Sequence, residues 1–320
     1  MIQLADFSVP AGVLPAAGVF SQLRLLSAFL FAGLPIALLA AALLLHRRRR
    51  RLAAALASSG LLLAAIGGWA FLVEPRWLEV ERFALASPKL ARPLRVVVVA
   101  DLQTDDFGAY EKEALRRVME ERGDLILFTG DYVQEHDPAR YAVQAAAFNA
   151  ALIETGIAAP LGAYAVRGDV DEDDWAALFA GSGILTFEQT TRIELPDLTL
   201  TALRSRDSRN HLARIPPSEK FHLVFGHAPD FALDQVPAEL LVAGHTHGGQ
   251  VRMPFFGPLL TFSEVPRAWA AGLTEIAPGR HLVVSRGIGM ERGAAPRLRF
   301  LCRPQIVVVD LAPQAAPTAG

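Results

Sequence analysis

From Leu26 to Leu45 twenty residues pass without a charge, and a second uncharged run of similar length follows from Leu52 to Val73. A helix on the surface of a soluble protein carries a polar face. Neither run has one, and each is long enough to cross a bilayer as a helix. Between them lie His46 and the consecutive arginines Arg47–Arg51. The pattern predicts a two-helix transmembrane hairpin over 26–73 behind an N-terminal segment, 1–25. The basic residues follow the first apolar run instead of preceding it, and no small-residue cleavage site stands out, so the run does not read as a cleavable signal peptide. Ser58, Ser59, Gly60, Gly67 and Gly68 are small enough to let two helices pack closely. Trp69 and Trp77 fall where an interfacial aromatic belt belongs.

Residues 74–93 read as a linker or a short entry strand, and after them the period changes. "LRVVVVA" ends at Asp101, "DLILFTG" at Asp131, "GAYAVRG" at Asp169, "HLVFG" at His227 and "LLVAG" at His245. These are apolar, β-branched-rich runs of strand length, each followed by a potential metal ligand. Helical patterns over Tyr110–Arg122 and Ala139–Glu154 separate the first three. Further strands are expected at Ile184–Phe187, Arg192–Leu203, His281–Ser285 and Ile306–Asp310. Alternation of this kind marks an α/β domain, here 94–311. In open α/β sheets the ligand site lies beyond the carboxyl ends of the strands, where these carboxylates and imidazoles fall. The tail, 312–320, reads as disordered.

Composition adds three points. Apolar residues make up 52% of the chain, and the mean hydropathy of +0.29 agrees with a membrane-embedded part. The net charge of −2 points to no polyanionic partner. The arginine run, placed between two apolar helices, is a topology signal and not a nucleic-acid site. Short Arg-rich loops stay cytoplasmic, which puts both termini and everything after Val73 outside, on a multi-pass protein of the inner (cytoplasmic) membrane. A single cysteine, Cys302, excludes an intrachain disulfide and a cysteine-rich zinc site.

Asp101, Asp131, Asp169, His227, His245 and His247 form a set of carboxylates and imidazoles suited to Mn²⁺, Fe²⁺ or Zn²⁺. In "GHTHGGQ" the two histidines are two residues apart and project to one side of an extended chain. A carboxylate such as Asp131 can bridge two ions. Two ions about 3.5–4 Å apart activate a shared water and hold the oxygens of an in-line phosphoryl displacement. Each of these histidines alone would be a bland surface or core residue; the placed set is the signal.

The motifs "ADLQ", "TGDY", "RGDVD", "FGHAP" and "AGHTHGGQ", with "VSRGIG" and "FLCRPQIVVVDL" further on, resemble the calcineurin-like metallophosphoesterases, and among them a membrane-anchored bacterial branch. The family pattern is D-x-H, GD, GNH-[DE], a lone His and GHxH. The resemblance implies a four-layer α-β-β-α sandwich with two divalent metal ions. One ion would be held by Asp101, Gln103, Asp131 and His247, the other by Asp131, Asp169, His227 and His245. Three positions depart from the pattern. Gln103 replaces histidine, and an amide oxygen is a harder, weaker ligand than imidazole, so the first metal is expected to bind more loosely. Asp169 replaces asparagine, and its charge is expected to strengthen the second. Val170 stands where the family has the histidine that protonates the leaving group; loss of a general acid costs roughly 10²–10⁴ in rate. Asp171 remains as the expected catalytic residue.

Substrates with a good leaving group, phosphodiesters or phosphoanhydrides, need the missing acid least. Arg206 and Arg209 in "LRSRDSRNH" are candidates to clamp a phosphate. The substrate is then a phosphorylated small molecule or a lipid-linked phosphate. Two other functions stay open: a UDP-2,3-diacylglucosamine pyrophosphatase of lipid A synthesis, which needs a cytoplasmic site, and a binding module of this fold without turnover.

Overall fold

The computed structural model describes residues 16–210 and 214–314, so the readings of most of the N-terminal segment, of His211 and of the tail from residue 315 lie outside the described residues. Two apolar helices lead the chain, α1 (Gly18–Leu45) and α2 (Arg50–Arg76). They pack against each other as a hairpin, and long side chains such as Leu25, Leu43, Leu44, Leu61 and Leu62 stay exposed along it. Close approach is made by two of the predicted small residues. A Cβ on Gly67 would come within 2.7 Å of Phe31, and one on Gly60 within 3.1 Å of the Pro35 carbonyl. Gly68 faces open space, and Ser58 and Ser59 are exposed, so these three do not form the contact.

The last turns of α2 are built into the domain that follows. Ala70 accepts a hydrogen bond from the Arg299 amide (3.0 Å), and the buried Glu74 carboxylate accepts from the Cys302 amide (2.5 Å) and the Trp69 indole (2.9 Å). The stretch read as a linker or entry strand contains a nine-residue strand, β1 (Glu79–Ser87). It pairs with the C-terminal strand and forms one edge of a sheet, where its alternating charges are tolerated.

Strands β2 (Leu94–Val99), β3 (Leu125–Phe128), β4 (Ala163–Val166) and β5 (Leu185–Phe187) continue the first sheet. The second is made from β6 (Thr191–Glu194), β7 (Leu198–Ala202), β8 (Phe221–Phe225) and β9 (Leu240–Ala243). A two-stranded ribbon, β10 (Arg252–Met253) with β11 (Gly257–Pro258), precedes β12 (Gly272–Ala277) and β13 (Arg280–Val284) of that same sheet, and β14 (Gln305–Pro313) returns to the first. The orders are β1-β14-β2-β3-β4-β5 and β12-β13-β9-β8-β7-β6. The segment read as one strand over Arg192–Leu203 is a hairpin, β6–β7, turned at Pro196–Asp197 and closed by the bond from Leu195 N–H to the Leu198 carbonyl. β12 carried no clear apolar run and was not anticipated.

The inward faces of the two sheets pack on each other through Val96, Val98, Leu125 and Leu127 on one side and Leu200, Leu223, Phe225 and Val242 on the other. Burial of each such side chain contributes roughly 1.5–3 kcal/mol. Helices α3 (Ala109–Glu120) and α4 (Pro138–Thr155) cover the outer face of the first sheet through Leu115, Val118, Phe148 and Leu152. α4 starts where Asp137 accepts from the Arg140 amide with Pro138 at its first position, and it stops at left-handed Gly156. The outer face of the second sheet is covered by shorter pieces, a 3-10 turn over Pro229–Leu233 and α5 (Ser205–Arg209). The result is the expected four-layer sandwich with one thin outer layer. β2, β3 and β4 are parallel to one another, as are β7, β8 and β9, and the carboxyl ends of β2, β3, β4, β8 and β9 converge.

Candidate metal centre

At that convergence one ligand atom each from Asp101, Asp131 and His247 lies within 4.8 Å of the others, and Asp131, His227 and His245 form a second such group. Asp131 belongs to both. The backbone is bent to make this possible. Asp101, Gln103, Asp131, His245 and His247 all have positive φ, between 34° and 69°, at a cost of roughly 1–3 kcal/mol each. Strain of this kind persists where neighbours enforce the geometry. Gly168 is one of them: a Cβ there would lie 2.1 Å from Asp131 Oδ1, so no other residue leaves room for the carboxylate.

Hydrogen bonds to backbone carbonyls orient two of the three imidazoles. His227 Nδ1 donates to the Thr129 carbonyl (2.9 Å), which turns Nε2 toward Asp131 Oδ2 (3.3 Å). His245 Nε2 donates to the Phe262 carbonyl (3.0 Å), leaving Nδ1 3.3 Å from Asp169 Oδ2 and 3.2 Å from His227 Nε2. A carbonyl holding the far nitrogen fixes the tautomer that ligates. His247 is buried, and neither of its ring nitrogens has a hydrogen-bond partner among the described residues. Gln103 Oε1 is likewise buried and unpartnered, while its amide nitrogen donates to Gln134 Oε1 (3.0 Å) and Glu291 Oε2 (3.2 Å). Gln103 Oε1 and one ring nitrogen of a neutral His247 are acceptors, and a divalent cation would satisfy both.

The electrostatics agree. Burial pushes the Asp101 carboxyl up to about 8, with His227 pulling it back. Burial opposes a charge on His227, yet Asp131, Asp169 and Asp101 together push its imidazole up to about 10. A cluster that forces a proton onto a fully buried histidine calls for positive charge. His247, by contrast, is held well below its usual value by burial and by Arg299, in the neutral form that ligates. The residues present fit divalent cations.

Asp169 takes part from the open side. It is about 30% exposed, pairs with Arg209, and accepts from Ser205 Oγ (3.3 Å). The Arg209 guanidinium also lies beside the His245 ring, 3.4 Å from Nδ1 and 3.0 Å from Nε2, so α5 brings a positive charge to the second ligand group. Arg206 is exposed, and among the described residues no contact joins it to the cluster. Asp171, expected to be catalytic, has a different place. Its buried carboxylate accepts from the backbone amides of Asp131 (2.9 Å), Tyr132 (2.7 Å) and Gly168 (2.7 Å), stapling the two loops that carry the acids. It is a positioning residue. Val170 donates its amide to Asp131 Oδ1 (3.0 Å), and its side chain has no proton to give.

The connection between β13 and β14 supplies what sequence reading missed. Gly289 donates to the Asp101 carbonyl (2.7 Å), Arg292 Nε to the Gln103 carbonyl (2.7 Å), and Glu291 holds both the Gln103 and Gln134 amides (3.2 and 2.9 Å). Asp105 is buried against Arg297 and Arg292 of this connection, ahead of α3 and its cap at Gly108. No local pattern marked Glu291 or Gln134. The only cue was the neighbouring "VSRGIG".

A pair of sheets whose strand ends gather acids and imidazoles around one shared carboxylate has the form of a two-metal hydrolase centre. Residues 94–249 match the calcineurin-like phosphoesterase family. The chain is 30% identical over 260 residues to the phosphodiesterase YaeI of Escherichia coli (strain K12), covering 76% of this chain and 92% of that one. It is 28% identical over 267 residues to the uncharacterized metallophosphoesterase YkuE of Bacillus subtilis (strain 168), covering 76% and 89%. The chain belongs to the calcineurin-like phosphoesterase family.

Proposed function

We propose that the protein is a membrane-anchored metallophosphoesterase that cleaves a phosphodiester or phosphoanhydride with a good leaving group, using two divalent ions of the Mn²⁺ or Fe²⁺ type, with Zn²⁺ an alternative. The observation that carries this reading is the sharing of Asp131 by two ligand groups, with Val170 lying against it where a proton donor would be needed for a poor leaving group. When bound, such ions polarise phosphoryl oxygens and acidify water. The chain's own part is separate. Asp101, Gln103, Asp131 and His247 hold one ion, and Asp131, Asp169, His227 and His245 the other. Asp171 keeps the Asp131 and Gly168 loops in register. Arg209 takes two phosphoryl oxygens bidentately in this reading. The name of the E. coli relative, a phosphodiesterase, supports the same substrate class.

The hairpin is the anchor in this reading. Both of its helices pass the length and composition of a membrane span. The Arg47–Arg51 turn and the catalytic domain lie at opposite ends of it, so an arginine turn held in the cytoplasm places the domain outside the inner membrane. A lipid-linked phosphate then suits the site as substrate.

The test is hydrolysis of bis-p-nitrophenyl phosphate by the full chain in detergent with Mn²⁺. Truncation at residue 74 would remove the Ala70 contact to Arg299, so the hairpin is kept. Turnover that requires metal and is lost in Asp131→Asn is expected. Bound metal with no turnover would overturn the enzymatic reading and leave a binding module.

A further inference from the structure

The run 253–262, MPFFGPLLTF, contains no charged residue and forms the β10–β11 ribbon with the loop after it. Its apolar side chains are not in the core. Phe255 is fully exposed (110%), Phe256 is 51% exposed, and Met253, Leu259 and Phe262 are also open. A contiguous apolar patch of this kind marks a contact surface. The ribbon borders the metal centre, because the carbonyl that fixes His245 belongs to Phe262.

The surroundings name the occupant. The Phe262 ring packs on Phe20 of α1, with centroids 5.2 Å apart. With a rise of 1.5 Å per residue, about 30 Å of hydrocarbon measured from the Arg47–Arg51 turn ends near residue 25 of α1 and near residue 70 of α2. Phe20 therefore stands at headgroup level, and Phe262 beside it. The Arg267 guanidinium lies over the Phe256 ring (4.8 Å), and Arg252 opens the ribbon. Phenylalanine and leucine with arginine at the border is the composition of segments that lie in a bilayer interface. We propose that the ribbon is a second membrane contact. It inserts Met253, Phe255, Phe256 and Leu259 at the headgroup–acyl boundary and holds the mouth of the metal centre at the level of the lipid phosphates. This rests on the reading of the hairpin as a membrane anchor.

The test uses the full chain in nanodiscs of phosphatidylcholine and phosphatidylglycerol, with an environment-sensitive fluorophore on a single introduced cysteine. Cys302 is buried, and the unsubstituted chain reports any labelling there. Phe255→Cys and, independently, Leu259→Cys probe the ribbon. Leu43→Cys reports the hairpin, and Val143→Cys, exposed on α4, reports water. The ribbon labels are expected to be blue-shifted and quenched by brominated lipid, as the Leu43→Cys label is. Ribbon labels that behave like the one at position 143 while the one at 43 is in lipid overturn the ribbon contact and leave the anchor standing. A label in water at 43 overturns the anchor and the ribbon contact with it. Ribbon labels that are blue-shifted but not quenched would show cover by protein, a second copy or a partner, and overturn the proposal as well.

Discussion

The two ligand groups that meet at Asp131 are built differently. The first is enclosed: Asp101 and Gln103 are fully buried and His247 nearly so. The β13–β14 connection wedges it from behind, holding the carbonyls of Asp101 and Gln103 and the amide nitrogen of Gln103. The second is open on one side. His227 is fixed inside by a carbonyl, but Asp169 faces outward into the guanidinium of Arg209. Beside each group one residue, Gln103 or Asp169, departs from the family pattern, and each departure is answered by a neighbour. Glu291 and Gln134 fix the Gln103 amide so that its oxygen is the free end, which limits the loss expected from replacing an imidazole. Arg209 sets a positive charge against Asp169, which offsets the strengthening expected from a carboxylate there.

The comparison can be broken at four places. The largest effect is expected where neither group has an answer, at Val170. Val170→His should raise turnover of alkyl phosphoesters on the order of 10²-fold, toward the contribution of a general acid, and change nitrophenyl substrates little. Equal gains on both, measured as a ratio of kcat/KM values, would separate Val170 from proton transfer. Next is Asp171→Asn, which sets an amide N–H₂ against backbone N–H donors that now meet a carboxylate. A loss of about 2–3 kcal/mol in unfolding free energy is expected from buried donors left unpaired, read by denaturant melts; an unchanged midpoint would return Asp171 to the catalytic list. Glu291→Ala should weaken Mn²⁺ at the enclosed group by roughly 10–100-fold, the usual cost of losing an outer partner of a ligand, with the other group unaffected in a titration calorimeter. The smallest effect is at Arg209. Its removal should tighten metal at the open group by a few-fold, since exposed ion pairs are worth about 0.2–1 kcal/mol, while raising KM for a phosphodiester. A fall in metal affinity would mean that Arg209 organises Asp169 instead of competing for it.

Much of this centre could be read from the chain because each acid or imidazole follows a strand whose apolar run is local in sequence. The period of those runs placed β2, β3, β4, β8 and β9, and with them Asp101, Asp131, Asp169, His227 and His245, whereas Gln103 stood out only through the family resemblance. β1 was obscured by Glu79, Glu81 and Arg82, which an edge strand tolerates, and β12 by its mixed composition. Pro196–Asp197 was a turn signal inside an otherwise apolar stretch and split one expected strand into two. The roles of Asp171, Glu291 and Arg209 depend on contacts 40 to 188 residues away in sequence. No local pattern encodes such contacts. The same holds for the fusion of α2 to the metal-site connection through Ala70 and Glu74.

The most direct test of a centre with two unequal halves joined at Asp131 is a Mn²⁺ titration of the full chain in detergent, beside Asp131→Asn and followed by calorimetry. Two binding steps of different affinity in the native protein, both weakened in the variant, are the predicted result. A single step that Asp131→Asn leaves unchanged would contradict the shared carboxylate and the account built on it.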